Sequence, residues 1–119
     1  MNSIKFCYLY RDGSNYKSWE EVTFSNYENL AITEVTEMLL RAFLPDKQFI
    51  ASQISIPEKF LFIGGDFTEF DHCYHEFDYV ETCEEEPTDK LGRSITDFLQ
   101  DIEIVSKQGW VAFDVLDRA

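Results

Sequence analysis

Residues 71–76, Asp-His-Cys-Tyr-His-Glu, place imidazole, thiol and carboxylate side chains within a short stretch. These are the ligand types that zinc and related metals bind. Side chains of a strand alternate between faces, so His72 and His75 should point to opposite sides, whereas a helical His-Glu-x-x-His motif places both on one side. The spacing therefore favours packed or solvated histidines, and metal binding is the weaker alternative. Its ligands would be His72, Cys73, His75 and Cys83.

The other catalytic interpretations of this region are also weak. Cys73 is close in sequence to both histidines, but neighbours that close on a strand seldom aim at each other, so a cysteine nucleophile with its base is not indicated. The wider span, residues 60–89, holds ten carboxylates and no lysine or arginine. With so many acids, no pair of them identifies a general acid and its base.

The acidic span instead suggests binding. A chain that keeps uncompensated like charges either uses their field on a partner or tolerates them on a solvated surface. The net charge of −13 disfavours nucleic acid and anionic membranes and favours a basic protein surface. Aromatic residues between the acids would anchor such a partner.

We therefore predict a non-enzymatic interaction protein of the inhibitor, immunity or nucleic-acid-mimic type, without a cofactor. The alternative is a small enzyme or a metal- or ligand-binding domain that uses His72, Cys73 and His75. The predicted partner-binding residues are Asp66, Glu69, Asp71, Tyr74, Glu76, Asp78 and Glu81.

Residues 11–17 form a polar loop that mixes both charge signs with amide and phenol groups. Such a loop would recognise a small ligand or a peptide terminus, or would simply connect a hairpin through its turn-forming residues. The candidate ligand-binding residues are Arg11, Asp12, Asn15 and Lys17.

Three segments carry a resemblance to known proteins: YRDGSNYK at 10–17, DHCYHEF at 71–77 and GRSI at 92–95. Together they resemble small bacterial single-domain proteins that have no assigned activity. The resemblance spans most of the chain and implies a bacterial, stand-alone domain. It supplies no mechanism, so no functional residue is carried over from it.

Alternating apolar residues predict the strands. The predicted ranges are 4–10, 19–24, 49–56 and 73–82. In the last of these strands, Cys73, His75, Phe77 and Tyr79 should share one face and Val80 should lie on the other. Residues 110–116 are expected to form either a fifth strand or a tail packed on the core.

Apolar positions recur at three- and four-residue steps in residues 30–43, which predicts a helix capped by Asn29 or Thr33. A second helix should begin at Ser94, with Asp97 completing a capping box.

This order of elements predicts an α+β fold in which two helices pack on one face of an antiparallel sheet of four to five strands. With 119 residues, the chain fits a single domain covering residues 1–119. We expect a monomer or homodimer. The termini carry no recognisable address and the three cysteines suit a reducing compartment, so the expected location is cytoplasmic.

Overall fold

The computed structural model describes residues 2–61 and 72–115. Within them the main elements are β1 (Ser3–Arg11), β2 (Lys17–Ser25), α1 (Ile32–Ala42), β3 (Gln48–Phe49), β4 (His75–Cys83) and α2 (Ile95–Gln108). The sheet order is β2-β1-β4-β3, and every neighbouring pair is antiparallel. The prediction of an α+β fold with a four-stranded antiparallel sheet and two helices is confirmed. Neither described helix is long and apolar enough to cross a membrane.

The main core lies between one face of the sheet and both helices. Alternation along β1 sends Ile4, Phe6 and Tyr8 to this face, where each is fully buried. The Phe6 ring centroid lies 5.2 Å from that of Phe98 on α2 and 5.4 Å from that of Phe77 on β4. Both helices therefore cover the same side, and the opposite side of β1 carries no helix among the described elements.

The start of α1 differs from the prediction. Its N-cap is Ala31, which offers no side-chain hydrogen bond, so neither Asn29 nor Thr33 caps the helix. The preceding turn is held by Asn26, whose Oδ1 accepts from the Leu30 N–H at 2.9 Å and whose Nδ2 donates to the Leu30 carbonyl at 3.1 Å. The two hydrogen bonds between Asn26 and Leu30 therefore fix the turn that precedes α1, and burial of its apolar residues holds the helix against the core.

The start of α2 agrees with the prediction. Ser94 Oγ accepts a hydrogen bond from the Asp97 N–H at 3.2 Å, and the Asp97 carboxylate accepts from the Ser94 N–H at 3.3 Å. Since an N-cap hydroxyl satisfies a helix N–H that otherwise lacks a partner, we expect Ser94→Ala to lower the free energy of unfolding by about 1 kcal/mol. Urea unfolding measures this loss. A variant as stable as the original protein would contradict it.

The strand predicted at 49–56 is wrong beyond its first residue. β3 stops at Phe49, and Ala51–Ile54 forms a turn of 3₁₀ helix that ends at Ser55 in the left-handed region, with φ 57° and ψ 46°. Ile54 and Ile56 are both buried, as an alternating strand would also require. The apolar pattern of residues 49–56 therefore fitted both a strand and a 3₁₀ turn, and the turn that forms packs against α2.

A β-bulge overturns the predicted face pattern of β4. Phe77 pairs with Tyr8 and Tyr79 pairs with Cys7, so Asp78 is an extra residue on β4. After Asp78, each side chain of β4 therefore lies on the sheet face opposite to the one that strict alternation predicts. Val80 points into the core and Tyr79 points away from the helices, because their partners on β1 do so.

The two ends of the described segments are irregular. Cys73 is buried but precedes β4 rather than belonging to it. Residues 110–115 form a packed tail and no strand, which is one of the two expected alternatives. In that tail the Trp110 Nε1–H donates to the Ala42 carbonyl at 3.0 Å, and Val115 is buried.

Candidate partner-binding surface

The sheet face turned away from both helices forms a continuous surface, which we call the open face. Register places the same-facing side chains of β1, β2 and β4 side by side across the sheet. They include Lys5, Cys7, Leu9, Trp19, Glu21, Thr23, Glu76, Tyr79 and Glu81. The sheet thus presents a mixture of aromatic, apolar and charged groups on this side.

Two aromatic side chains stand out on the open face. Trp19 is 59% exposed and Tyr79 is 47% exposed, whereas Cys7 and Leu9 on the central strand are buried. A groove of about 530 Å³ lies between the Trp19 and Tyr79 side chains. It is lined by Cys7, Trp19, Glu20, Glu21, Asp78 and Tyr79. Exposed aromatic side chains beside a buried apolar residue and carboxylates are residue types found at binding hot spots and their surroundings.

At one end of the open face, a single lysine lies within ion-pair distance of three carboxylates. The Lys5 ammonium nitrogen lies 2.7 Å from a carboxylate oxygen of Glu85, 3.6 Å from one of Glu21 and 3.9 Å from one of Glu81. The hydrogen bond to Glu85 raises the pKa of Lys5 above its ordinary value, and the negative charge of Glu21 adds to the effect. Three carboxylates against one ammonium leave an excess of negative charge here.

The thiol of Cys7 is not set up as a nucleophile. Burial raises its pKa, and the hydrogen bond with Tyr79 acts in the opposite direction without reversing the shift. A thiol held in this state is mostly protonated near neutral pH. Cys7 therefore contributes apolar surface to the groove floor.

The predicted partner-binding residues fall into three groups. Asp66, Glu69 and Asp71 lie outside the described residues. Asp78 lines the groove, and Glu81 lies on the open face beside Lys5.

Tyr74 and Glu76 line a second, polar cleft of about 290 Å³, and register places Glu76 opposite Leu9 at the end of the open face. Its lining comprises Arg11, Asp46, Gln48, His72, Tyr74 and Glu76. In this cleft Arg11 Nε donates to the Glu76 carboxylate at 3.1 Å, so this acid already has an internal cation. Glu76 therefore shares its charge with a cation of the same chain, as Glu21, Glu81 and Glu85 do with Lys5.

The candidate ligand loop is organised as a hairpin connection. The Asp12 carboxylate accepts from the N–H groups of Ser14 and Tyr16, each at 2.9 Å. Asn15 adopts φ 69°, a left-handed conformation that asparagine tolerates. These residues are engaged in closing the turn between β1 and β2, and Arg11 and Lys17 are the paired residues at its base.

The weaker alternative, a metal site, is not assembled. His75 is 1% exposed, and its Nε2 accepts a hydrogen bond from the Lys59 N–H at 2.8 Å, so this nitrogen is already occupied. Cys83 lies eight positions further along the same strand, about 26 Å away at ~3.3 Å per residue. Among the described residues, no group of three His, Cys, Asp or Glu side chains is arranged to hold a metal ion.

Trp19, Glu21 and Lys5 are the site residues that were missed. A signal for them exists in β2, where Trp19, Glu21 and Thr23 alternate with Glu20, Val22 and Phe24. A tryptophan beside a glutamate on the less apolar face of a strand marks an exposed aromatic. Comparison of the chain with family models, curated proteins and solved structures gives no match.

Proposed function

We propose that this protein is an acidic interaction protein that binds, and thereby inhibits or neutralises, a protein partner with a basic surface. The observation that carries the proposal is the groove of the open face, where exposed Trp19 and Tyr79 flank a buried floor and carboxylates form the rim. All three cysteines are free thiols, which fits the cytoplasm as the proposed compartment.

The two kinds of side chain have separate tasks in this proposal. Concentrated carboxylates attract a cationic surface over several ångströms and raise its association rate. The rings of Trp19 and Tyr79 then lose water against the partner and supply most of the affinity. The matching partner surface carries lysine or arginine side chains around an apolar protrusion that enters the groove.

The test compares the acids of the open face with acids elsewhere. We expect a triple variant, Glu21→Gln, Glu81→Gln and Glu85→Gln, to bind a basic partner about tenfold more weakly. The partner is obtained by capture from a bacterial lysate on the immobilised protein at low salt, identified by mass spectrometry, purified, and titrated against each variant by calorimetry.

A second triple variant serves as the control: Glu28→Gln, Glu34→Gln and Glu37→Gln. These acids are exposed and form no ion pair with the described residues, so the change in net charge is the same but its location differs. The proposal expects the control to bind normally and added salt to weaken binding. Equal losses in both triple variants, or binding unchanged by salt, would contradict a role for the open face.

A further inference from the structure

Among the described elements, the outer side of β4 has no neighbouring strand over most of its length. β3 pairs with β4 only at Glu76 and His75. Beyond the bulge, no described strand lies on that side of β4. Unpaired edges are the places where an extended chain can join a sheet.

A contact made by Thr23 on β2 shows which way the backbone N–H and C=O groups of β2 and β1 point. The Thr23 N–H donates to the Thr88 hydroxyl at 2.9 Å, and the Thr23 carbonyl accepts from the Thr88 N–H at 2.9 Å. Thr23 thus turns its N–H and C=O away from β1. Its partner Lys5 must then turn its own backbone groups toward β4, because they alternate along an antiparallel strand.

The same alternation gives the direction of the backbone N–H and C=O groups along β4. Glu81 lies opposite Lys5 and shares its hydrogen bonds, so Val80 and Thr82 turn their N–H and C=O groups outward. No hydrogen bond in the described part of the chain reaches these four groups. We call the outward backbone of Val80 and Thr82 the β4 edge.

The opposite edge of the sheet is covered at Thr23. The contacts between Thr23 and Thr88, together with a 3.3 Å hydrogen bond from the Asp89 N–H to the Thr23 carbonyl, occupy the outer side of β2 at this position. Among the described residues, no such contact covers the β4 edge.

The negative charge beside the β4 edge favours a basic strand over a second copy of this chain. Asp78 and Glu81 lie on this stretch, and residues 84–86 add three more glutamates directly after it. Two copies paired through this edge would bring these acids close together, and like charges across strands are destabilising. A strand with lysine or arginine side chains meets the opposite situation, because each cation finds a carboxylate.

We propose that an extended basic segment of the partner adds to the β4 edge as a fifth strand, antiparallel or parallel to β4. This inference rests on the proposed function and specifies how the partner is held. Side chains on one face of the added strand would extend the open face next to Tyr79 and Glu81. Backbone hydrogen bonds to Val80 and Thr82 would fix the register.

The experiment uses a short synthetic peptide of alternating lysine and valine, with the same peptide methylated at alternate backbone nitrogens as the control. Amide hydrogen exchange is followed by NMR. In the free protein, the Val80 and Thr82 amides should exchange faster than that of Glu81. The unmodified peptide should slow exchange at both by about tenfold or more, and the methylated peptide should not.

Thr82→Pro provides the matched variant. Because this N–H points outward, proline removes the bond to the added strand without removing one from the sheet, as edge strands tolerate. Thr82→Val keeps the N–H and is the control. We expect the proline variant to remain folded by circular dichroism and to bind the peptide about tenfold more weakly, with the valine variant unchanged.

Strand addition would be overturned by any of three results. They are protected Val80 and Thr82 amides in the free protein, equal binding of both peptides, and equal binding by the proline and valine variants. The proposed function fails separately, through the glutamine variants of the open face. Weaker partner binding by those variants with unchanged binding by Thr82→Pro would keep the function and discard this mode of attachment.

Discussion

Replacing Arg93 with methionine is expected to lower the free energy of unfolding by about 3–5 kcal/mol, the range for removing one partner of a buried ion pair. The Arg93 side chain is 8% exposed and that of Asp89 is 2% exposed. Methionine is also long and unbranched but carries no charge, so the Asp89 carboxylate is left buried without its cation. Denaturant unfolding of both proteins measures the difference.

The size of the effect follows from the number of contacts. Arg93 Nε and Nη2 each donate to one oxygen of Asp89 at 2.9 Å, a two-pronged geometry that lysine cannot reproduce. Nη1 donates to the Ile54 carbonyl at 2.9 Å and to Asp101 at 3.0 Å. Nη2 also donates to the Ser55 carbonyl at 3.1 Å. One side chain therefore joins the 3₁₀ turn, the loop before α2 and α2 itself.

The guanidinium also lies over two rings, 5.7 Å from the Phe24 centroid and 5.0 Å from that of Phe98, so its charge is partly stabilised by the aromatic faces. Lys107→Met is the control. Lys107 pairs with Glu103 on the exposed side of α2, where such pairs contribute less than about 1 kcal/mol. Similar losses in the two methionine variants would contradict the importance of the buried network.

Acidification should weaken the fold through His75. Burial lowers the pKa of this imidazole to about 4 from 6.5. Between these two pH values the unfolded chain binds more protons than the folded protein, so the free energy of unfolding falls as the pH falls through this window. The full contribution is about 3 kcal/mol, and no further loss from His75 occurs below about pH 4. Urea unfolding at successive pH values measures it.

The contacts of His75 explain why the charged form is disfavoured. Its Nε2 accepts from the Lys59 N–H, so in the neutral ring the hydrogen resides on Nδ1. A second proton on Nε2 would face that donor and break the bond. The ring centroid also lies 5.0 Å from that of Phe60 and 5.3 Å from that of Tyr10, in surroundings that solvate an imidazolium poorly.

His75→Gln tests the assignment, since glutamine keeps an acceptor for the Lys59 N–H but does not titrate. The difference in free energy of unfolding between the original protein and this variant should change by about 3 kcal/mol between pH 7 and pH 4. His72→Gln is the comparison: the charge of His72 also lowers the pKa of His75, so this variant should narrow the pH window without abolishing it. A constant difference between the original protein and His75→Gln would show that another group is responsible.

The sequence allowed the helices and the first hairpin to be predicted because their signals are local. The apolar stripe of α2 and the capping box of Ser94 and Asp97 lie within a few residues of each other. Arg93 gave no comparable signal. Its contacts with Ile54 and Asp101 join distant parts of the chain, and a single exposed-looking arginine before a helix does not reveal them.

The sequence predicted which residue types form the candidate site, but it predicted only part of where they lie in the fold. Acids interleaved with aromatic residues predicted a binding surface, and Asp78 and Glu81 lie at the groove and on the open face where we propose it. Trp19 and Glu21 were missed because they come from β2, outside the acidic span. Their association with Tyr79 depends on the pairing of three strands, which alternation along one strand cannot specify.

The single extra residue in β4 has an evolutionary consequence. Because Asp78 is the extra residue, losing its codon would turn β4 into a regular strand in which Tyr79 still pairs with Cys7 on the open face and Val80 still points into the core. A descendant could thus lose the bulge, and with it the Asp78 carboxylate of the groove, while Trp19 and Tyr79 stay on the same face. Among related chains, a gap at this position should therefore occur without loss of either ring.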